Sequence, residues 1–232
     1  MIPSYNQRQR TRRAASEAAR FLSSLPDERA ELIVVDDGSD PGEGTRASDL
    51  PPEAIFVGLP RNLGKGGALK AGVSRARGEL IILTDSDLPF SLEPVTTTLA
   101  WLRDDADIVI GDRLLPESQC ETTVTPMRRV SSAVFTFLVK GLCGLPYDDT
   151  QCGYKGYRGA VAKSLFARLE TTSFAFEVEL LLRAKKAGHR VRRQPLRLVH
   201  NEDTSVRLSR HAPRMIADTL RVAWRGARGH YG

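Results

Sequence analysis

Two aspartates at the end of an apolar run are the clearest candidates for chemistry in this sequence. Asp85 and Asp87 stand in Thr-Asp-Ser-Asp, directly after the Leu and Ile residues of 80–83. Carboxylate oxygens suit Mg²⁺ and Mn²⁺, and open α/β sheets bind ligands at the carboxyl ends of their strands. Asp85 and Asp87 are therefore predicted to hold a divalent cation. The alternative is that they only solvate a loop or cap a helix.

Two further segments carry residue types that suit a nucleotide. Segment 36–39, Asp-Asp-Gly-Ser, ends another apolar run, and its side chains are able to bind ribose hydroxyls and a base edge. Segment 61–67, Arg-Asn-Leu-Gly-Lys-Gly-Gly, leads into a helical pattern, where glycines leave helical N–H groups open to a diphosphate beside Lys65. Taken singly, each segment is equally compatible with a plain turn. Segment 61–67 is neither a Walker A loop nor a dinucleotide-binding loop.

Short apolar segments alternate with helical patterns along the chain. Four segments are predicted as buried strands because they are apolar and too short for independent helices. They are 31–36, 54–57, 80–84 and 107–111. Apolar residues at helical spacing predict helices within 14–25 and 130–142. The alternation predicts an α/β fold with a mostly parallel sheet flanked by helices, and functional residues at the carboxyl ends of its strands.

Length and composition bound the class of protein. The chain has 232 residues, of which 41% are hydrophobic, so it can bury one sizeable core and is not a disordered or fibrous protein. No apolar stretch reaches the roughly 18 residues of a spanning helix, and no signal peptide is present. The 3 cysteines lack C-x-x-C spacing and indicate neither a disulfide framework nor a zinc site. We expect a cytoplasmic protein, with peripheral contact to a membrane surface left open.

The net charge is +6 and unevenly distributed, with basic residues crowded at 8–13 and from Arg183 to the C-terminus. Such asymmetry predicts attraction to an anionic partner: a phosphorylated substrate, a membrane surface or a nucleic acid. We expect no nucleic-acid partner, because aromatic residues make up only 6% of the chain and no nucleic-acid-binding motif appears.

The C-terminal segment is predicted to contain a helix that starts at Pro213, since proline suits the first helical turn. One face of this helix carries Ile216, Leu220, Ala223 and Trp224, and arginines fall on the opposite one. Three interpretations remain open: a helix packed on the core, a lid over anionic ligands, or a helix that lies on a membrane surface.

The ordered motifs resemble those of a known enzyme family. They are I-P-S-Y-N, V-V-D-D-G-S, R-N-L-G-K-G-G-A, T-D-S-D, D-T-Q-C-G-Y-K at 149–155 and A-F-E-V-E-L at 175–180. Over residues 2–222 the chain resembles a family 2 inverting glycosyltransferase, most of all the dolichyl-phosphate glucosyltransferase and polyprenyl-phosphate sugar transferase branch. The resemblance implies a single GT-A domain over 1–204, with a Rossmann-like, mostly parallel sheet flanked by helices, and a basic amphipathic helical extension over 205–232.

The resemblance also implies roles for individual residues. The residues implied to contact the nucleotide sugar are Pro3, Tyr5, Asp37, Ser39, Lys65, Asp85, Arg113, Gln151 and Arg207. Asp85 and Asp87 are implied to hold the Mg²⁺ or Mn²⁺ that bridges the diphosphate, which places Asp87 among the catalytic residues. Glu177 matches the carboxylate that deprotonates an acceptor hydroxyl, and it would only orient groups if the acceptor is already a phosphate. Glu179 is alternatively a structural partner of Arg183, one helical turn later.

The implied activity is metal-dependent transfer of a hexose from a nucleotide sugar, UDP-glucose before GDP-linked donors, to a polyprenyl or dolichyl phosphate. The alternative acceptor is a hydroxyl of a small molecule or natural product, because the sequence shows none of the membrane segments of anchored family members. A sugar-nucleotide pyrophosphorylase is the competing enzyme class. It is disfavoured because I-P-S-Y-N stands where its glycine-rich loop would follow the first strand.

Overall fold

The computed structural model describes residues 1–25, 29–120, 126–173, 175–199 and 208–231. Within two helical stretches, 126–132 and 208–214, it describes the backbone alone. The predicted domain boundary between 204 and 205 lies outside the described residues, and so does Arg207.

Strands and helices alternate along most of the described chain. The strands are β1 Ile2–Ser4, β2 Ile33–Asp36, β3 Ile55–Gly58, β4 Leu80–Leu83, β5 Ile108–Asp112, β6 Lys155–Arg158 and β7 Val191–Pro195. The helices are α1 Arg8–Ser24, α2 Lys65–Arg75, α3 Pro94–Asp104, α4 Pro126–Cys143, α5 Gly159–Ala167, α6 Phe176–Lys186 and α7 Leu208–Ala227, with a short 3₁₀ helix at Ala47–Asp49. The four strands expected from apolar runs are all present, each within two residues of its predicted ends.

The strands form a mostly parallel arrangement, as the sequence predicts. β1, β2 and β3 pair in parallel in that order, and the remaining strands follow the order β4-β6-β5-β7. A backbone hydrogen bond of 3.1 Å from the Thr84 N–H to the Met1 carbonyl links β4 to the start of β1. β5 and β7 are parallel, whereas β6 runs antiparallel to β4 and β5. The carboxyl ends of β1, β2 and β4 therefore lie at one edge, where the acidic segments follow.

Alternate residues of β2 supply two apolar layers, because successive strand side chains point to opposite faces of a sheet. Val34 packs in a cluster with Ile2 of β1 and four alanines of α1. Ile33 and Val35 belong to the larger cluster, which includes residues of α2, α4, α5 and α6. Helices thus cover both faces of the sheet, so the strand ends keep fixed positions.

The C-terminal helix departs from its prediction in two ways. α7 begins at Leu208 and not at Pro213. It contacts α4 and α6 through a face that contains Thr219, Val222 and Ala223, whereas Ile216, Leu220 and Trp224 are exposed. α7 therefore packs on the core, as one of the three interpretations has it, but of the predicted face only Ala223 is buried, and Ile216, Leu220 and Trp224 are not. Among the described residues, none of the helices has the length and apolar character needed to cross a bilayer.

Candidate active site

The turn after β2 is built by the first of its two aspartates. Asp36 accepts hydrogen bonds of 2.9 Å from the Ser39 N–H, the Ser39 hydroxyl and the Thr45 N–H. Gly38 has a φ of 64°, and a Cβ at this position would stand 2.2 Å from the carbonyl carbon of Arg61. Only glycine therefore allows the turn to approach segment 61–67 this closely.

Asp37 points its carboxylate at that neighbouring segment. Its Oδ1 accepts a 2.8 Å hydrogen bond from the Leu63 N–H, and the side chain is buried. Burial raises the pKa of Asp37 above its usual value, and the charge of Asp36 adds to this effect, while the N–H groups of Leu63 and Gly64 oppose it. Asp37 thus connects the turn after β2 to the start of α2, where a nucleotide diphosphate is expected.

Lys65, the first residue of α2, joins the two later acidic segments. Its Nζ lies 2.8 Å from Asp85 Oδ1 and 3.7 Å from Glu177 Oε1. Burial opposes the charged ammonium, but the two carboxylates outweigh burial and raise the pKa of Lys65. The group therefore stays cationic beside the carboxyl end of β4.

Asp85 and Asp87 sit in different environments although only Ser86 separates them. Burial opposes the charge of Asp85, but Lys65 more than compensates, so the pKa of Asp85 is lowered. Burial raises the pKa of Asp87, and the charge of Asp85 raises it further. Among the residues that the structure describes, Asp87 Oδ1 is buried without a hydrogen-bond partner. A buried carboxylate oxygen without a partner indicates a missing cation or donor.

The loop before β6 packs directly on Asp85. A Cβ at Gly153 would stand 1.9 Å from Asp85 Oδ2, so glycine is required by the close approach. The preceding Cys152 is fully buried, and burial raises the pKa of its thiol to about 12. Cys152 therefore remains a protonated packing residue. Within the described part of the chain, the Nε2 of Gln151 is also buried without a partner.

Glu177 lies in the first turn of α6, as the sequence predicts, and is paired with a lysine of β6. Lys155 Nζ lies 2.9 Å from Glu177 Oε1 and also donates to the Cys152 carbonyl. Both side chains are almost completely buried. The sequence assigns no role to Lys155, the first residue of β6, and it becomes recognisable as a buried charge partner only where the strand and α6 are known.

Glu179 belongs to a separate cluster. Its carboxylate accepts a 2.8 Å hydrogen bond from Arg183 Nε and two more from the N–H groups of Glu170 and Thr171. The interpretation of Glu179 as a structural partner of Arg183 is confirmed. Glu179 thereby fixes the loop before α6, which in turn sets the position of Glu177.

Arg113, just past β5, is held by Asp149. Its Nε and Nη2 donate hydrogen bonds of 2.6 Å and 2.8 Å to the two carboxylate oxygens, and its N–H donates another of 3.1 Å. Burial opposes the charge of Asp149, but Arg113 outweighs it and lowers the pKa of the carboxyl. Asp149 was not predicted as a site residue. The ion pair fixes the beginning of the loop that carries Gln151 and Gly153.

Three more residues are predicted to contact the nucleotide: Pro3, Tyr5 and Ser39. Pro3 is buried in β1, and Tyr5 follows it with 42% of its surface exposed. The Ser39 hydroxyl donates to Asp36 and accepts the Asn6 N–H at 2.9 Å, so it already builds the turn. The contacts of these residues with a nucleotide stay predictions.

Asp85 and Asp87 fit a divalent cation whose other ligands come from the substrate. The described residues contain no cluster of three or more His, Cys, Asp or Glu side chains that is able to hold a metal. Asp85 and Asp87 alone supply hard oxygen ligands, one of them without a partner. Such a pair suits Mg²⁺ or Mn²⁺, which commonly take only one or two protein carboxylates plus the phosphates of the substrate.

The sequence is similar to the sequences of several sugar transferases. The chain is 29% identical to a dolichyl-phosphate beta-glucosyltransferase of Trichomonas vaginalis, over 96% of the chain and 69% of that protein. It is 31% identical to the Homo sapiens dolichyl-phosphate beta-glucosyltransferase, over 78% of the chain and 60% of that protein. With the glycosyltransferase AglD of Haloferax volcanii the identity is 28%, over 97% of the chain and 36% of that protein. The chain thus spans less than two thirds of several curated relatives.

Solved structures share the fold. Mannosyl-3-phosphoglycerate synthase from Rubrobacter xylanophilus superposes with a TM-score of 0.70 at 19% identity, over 99% of the chain and 73% of that structure. Glucosyl-3-phosphoglycerate synthase from Mycobacterium tuberculosis, solved with Mn²⁺, UDP-glucose and phosphoglyceric acid, gives 0.66 at 17% identity, over 96% and 78%. The GT-A fold predicted from the motifs is confirmed. The sequence profile of glycosyl transferase family 2 matches residues 1–166, and the chain belongs to that family of glycosyltransferases.

Proposed function

We propose that this protein is a metal-dependent inverting hexosyltransferase that uses a nucleoside diphosphate sugar, with UDP-glucose as first choice, and a polyprenyl phosphate acceptor. One observation carries the proposal. Asp85, Lys65, Glu177 and Lys155 come from four separate segments and form one chain of contacts of 2.8, 3.7 and 2.9 Å. This arrangement places two cations and two carboxylates at the edge where ligands bind in open α/β sheets.

The donor side is assigned to Asp37, Lys65, Asp85 and Asp87. Asp85 and Asp87 would hold Mg²⁺ or Mn²⁺, and a bound divalent cation would stabilise the negative charge of the departing diphosphate. The Lys65 ammonium, beside Asp85, adds positive charge at the same place. Asp37 would accept hydrogen bonds from the nucleoside, and the exposed Tyr5 would contact its base. The relatives named as glucosyltransferases support glucose as the sugar.

The environment of Glu177 favours a phosphate acceptor. Its Oε1 is already engaged by Lys155 at 2.9 Å, with Lys65 at 3.7 Å. A carboxylate oxygen held by two ammonium groups is better placed to position those cations than to take a proton from a hydroxyl. A phosphate oxygen is already anionic, so it attacks the anomeric carbon without a base. The bond from that carbon to the donor phosphate breaks, UDP leaves, and a sugar phosphodiester forms.

A second candidate acceptor is a small phosphorylated molecule that attacks through a hydroxyl. The observation that favours it is the fold similarity to a glucosyltransferase solved with phosphoglyceric acid. Such an acceptor needs a base, and Glu177 is the carboxylate in position to act as one. Arg207, predicted to compensate the charge of a phosphate, lies outside the described residues.

Transfer from radiolabelled UDP-glucose with Mn²⁺ distinguishes the two acceptors. The acceptors tested are a polyprenyl phosphate in detergent and phosphoglycerate in buffer, each with wild type and Glu177→Gln. We expect transfer to the polyprenyl phosphate, reduced less than tenfold by the substitution, because a general base contributes about 10² to 10⁴-fold only where a proton must be removed.

Glu93→Gln, at an exposed carboxylate, is the matched control and should leave transfer unchanged. A loss of about three decades in Glu177→Gln with unchanged UDP affinity would refute the phosphate acceptor and assign the base role to Glu177. Absence of transfer to either acceptor, together with a melting temperature that UDP and Mn²⁺ do not raise, would refute the donor assignment as well.

A further inference from the structure

The paired helices α4 and α7 expose large apolar side chains to solvent. We define the α4–α7 face by its six members, Val134, Phe137, Leu142, Ile216, Leu220 and Trp224. Phe137 is 75% exposed and Trp224 is 52% exposed. Across the described residues, six of the ten exposed large hydrophobic side chains lie on these two helices. Apolar exposure concentrated in this way marks an interaction surface in a protein that is otherwise well packed.

This exposure follows from how α7 packs. Ile216, Leu220 and Trp224 recur every fourth residue and form one stripe, which a sequence pattern would assign to the core. The helix instead buries Thr219 and Val222. It therefore turns Thr219 and smaller apolar side chains inward and leaves Ile216, Leu220 and Trp224 outside. Packing on the core therefore does not account for the stripe.

The charge around the face limits what that partner is. α4 contains three basic residues and no acidic one, and α7 contains four basic residues and a single acid, Asp218. Asp218 is buried and accepts a 2.6 Å hydrogen bond from the Ser173 hydroxyl. The Arg221 side chain pairs with Asp218 at 3.1 Å but is 61% exposed, and the Arg228 guanidinium stacks 4.1 Å from the Trp224 ring centre. Cations and an amphipathic aromatic thus border the aliphatic stripe.

We propose that the α4–α7 face binds the surface of an anionic lipid bilayer. Helices that lie in a membrane interface combine a Leu, Phe or Trp stripe with flanking Lys and Arg, because the apolar residues enter the acyl boundary while the cations contact lipid phosphates. A nucleic acid would use the cations but gain nothing from Val134 and Leu220. A second copy of this basic chain would bring like charges together around the face.

The α4–α7 face lies close to the proposed acceptor side of the site. This part of the inference rests on the proposed function. Ser173, bonded to Asp218 of α7, lies just before α6, whose first turn carries Glu177. α6 also contacts α7 directly. A bilayer on the α4–α7 face would therefore lie one helix away from the acceptor side of the site. An acceptor phosphate with a polyprenyl chain is anchored in such a bilayer.

Vesicle binding by the full chain tests the proposal without any transfer reaction. Vesicles of phosphatidylcholine with roughly one third phosphatidylglycerol carry the anionic surface, and pure phosphatidylcholine vesicles are the comparison. Neither contains polyprenyl phosphate or donor, so a failure here is separate from a failure of the proposed activity. We expect cosedimentation with the anionic vesicles that weakens as salt is raised.

Two double variants probe the two components of the surface. Leu220→Ser with Trp224→Ser should weaken vesicle binding about tenfold or more, because the inserted apolar area is lost. Arg221→Gln with Arg228→Gln should weaken it about twenty-five-fold, at about fivefold for each cation. The matched controls are Leu114→Ser, another exposed leucine, and Arg20→Gln, an exposed arginine of α1. Both controls should bind like wild type.

Fluorescence gives a readout that does not depend on how well the double variants fold. Trp101→Phe leaves Trp224 as the only tryptophan, since the chain has 2. Its emission should shift to the blue on addition of anionic vesicles and be quenched by brominated lipids. Three results would overturn the proposal: no shift with any vesicle, equal binding by the Leu220 and Trp224 variant, or a stable dimer in solution that this variant dissociates. Duplex DNA that binds more tightly than vesicles would also overturn it.

Discussion

The strands β2 and β4 both end in a pair of carboxylates, yet the two pairs are satisfied by different means. Asp36 is held by its own turn through three donors at 2.9 Å, all from residues within the next nine positions. Asp85 is held by the Lys65 ammonium at 2.8 Å, from another segment. The second member of each pair, Asp37 or Asp87, has a raised pKa because it is buried beside the first.

The difference separates Asp36, which stabilises the fold, from Asp85 and Asp87, which we propose as ligands of a cation. Asp36 stabilises a local turn, and the hydrogen bonds that its carboxylate accepts come from the protein itself. Asp85 neutralises the half-buried Lys65, and Asp87 is left with a buried oxygen that the described residues do not satisfy. Like charges held together in a buried site are unfavourable unless a cation joins them. The strand end at β4 is therefore the proposed place for a cation, whereas the side chain of Asp36 in the turn after β2 is satisfied by the protein itself.

The largest expected effect separates the second members of the two pairs. Asp87→Asn should lower kcat/KM by about a thousandfold and remove activation by Mn²⁺, because it deletes a ligand charge opposite the diphosphate. Asp37→Asn should raise KM by about ten to a hundredfold, the effect of losing one charged hydrogen bond to the nucleoside. Steady-state kinetics with a Mn²⁺ titration measures both.

Asp104→Asn, at an exposed aspartate at the end of α3, is the control and should behave like wild type. Full turnover of wild type in excess chelator would contradict the metal role of Asp87. Equal effects of the two substitutions on KM and kcat would remove the distinction between the two strand ends.

A smaller effect is expected from the backbone that supports Asp85. Gly153→Ala brings a Cβ within 1.9 Å of Asp85 Oδ2, so the carboxylate must move. A displacement of about 1 Å in a reacting group costs about a hundredfold in rate. Gly141→Ala is the control, because nothing lies within 4 Å of a Cβ there. It should keep full activity and gain about 0.5 to 1 kcal/mol in free energy of unfolding. Undiminished activity in Gly153→Ala would show that Asp85 tolerates displacement.

The sequence identifies the strand ends well because they depend on local chemistry. Apolar runs of β-branched residues predict β2, β4 and β5 within two residues, and the acidic residues after them are read directly. The residues proposed for the donor side can therefore be named without a structure. What the motif does not reveal is which aspartate of a pair the protein itself satisfies, since the donors Thr45 and Lys65 are fixed only by the folded chain.

The acceptor side is less predictable because it depends on contacts between distant segments. β6 is antiparallel, and its Lys155 meets Glu177 only after α6 docks. The sequence left open which partner the Leu220 and Trp224 side of α7 meets, because periodicity records which residues share a face and not which face meets a neighbour. Neighbouring helices α4 and α6 decide that question, and a single sequence does not contain their positions.

The smallest expected effect concerns stability without metal, where the two members of the β4 pair should act with opposite signs. At about pH 7.5, Asp85→Asn should lower the melting temperature by about 4 °C, because Lys65 loses its 2.8 Å partner. Asp87→Asn should raise it by about 2 °C, because it removes a buried charge that Asp85 repels. Asp36→Asn should also lower it, since its new amide N–H₂ would face existing donors. Thermal denaturation followed by circular dichroism measures all three.

The pH dependence distinguishes charge effects from packing effects in the same variants. The pKa of Asp85 is lowered, so its charge stabilises the fold above the ordinary value of 3.8, and this stabilisation is lost as the pH falls through the folded pKa. The pKa of Asp87 is raised, so its stabilising contribution is present below 3.8 and lost as the pH rises through the folded pKa.

Both variants should therefore converge on wild type in acid. The Asp87→Asn difference should vanish at the higher pH, and the Asp85→Asn difference should persist further into acid. Differences that stay constant across the titration would mean that packing, and not the charge of these carboxylates, determines the stability of the β4 strand end.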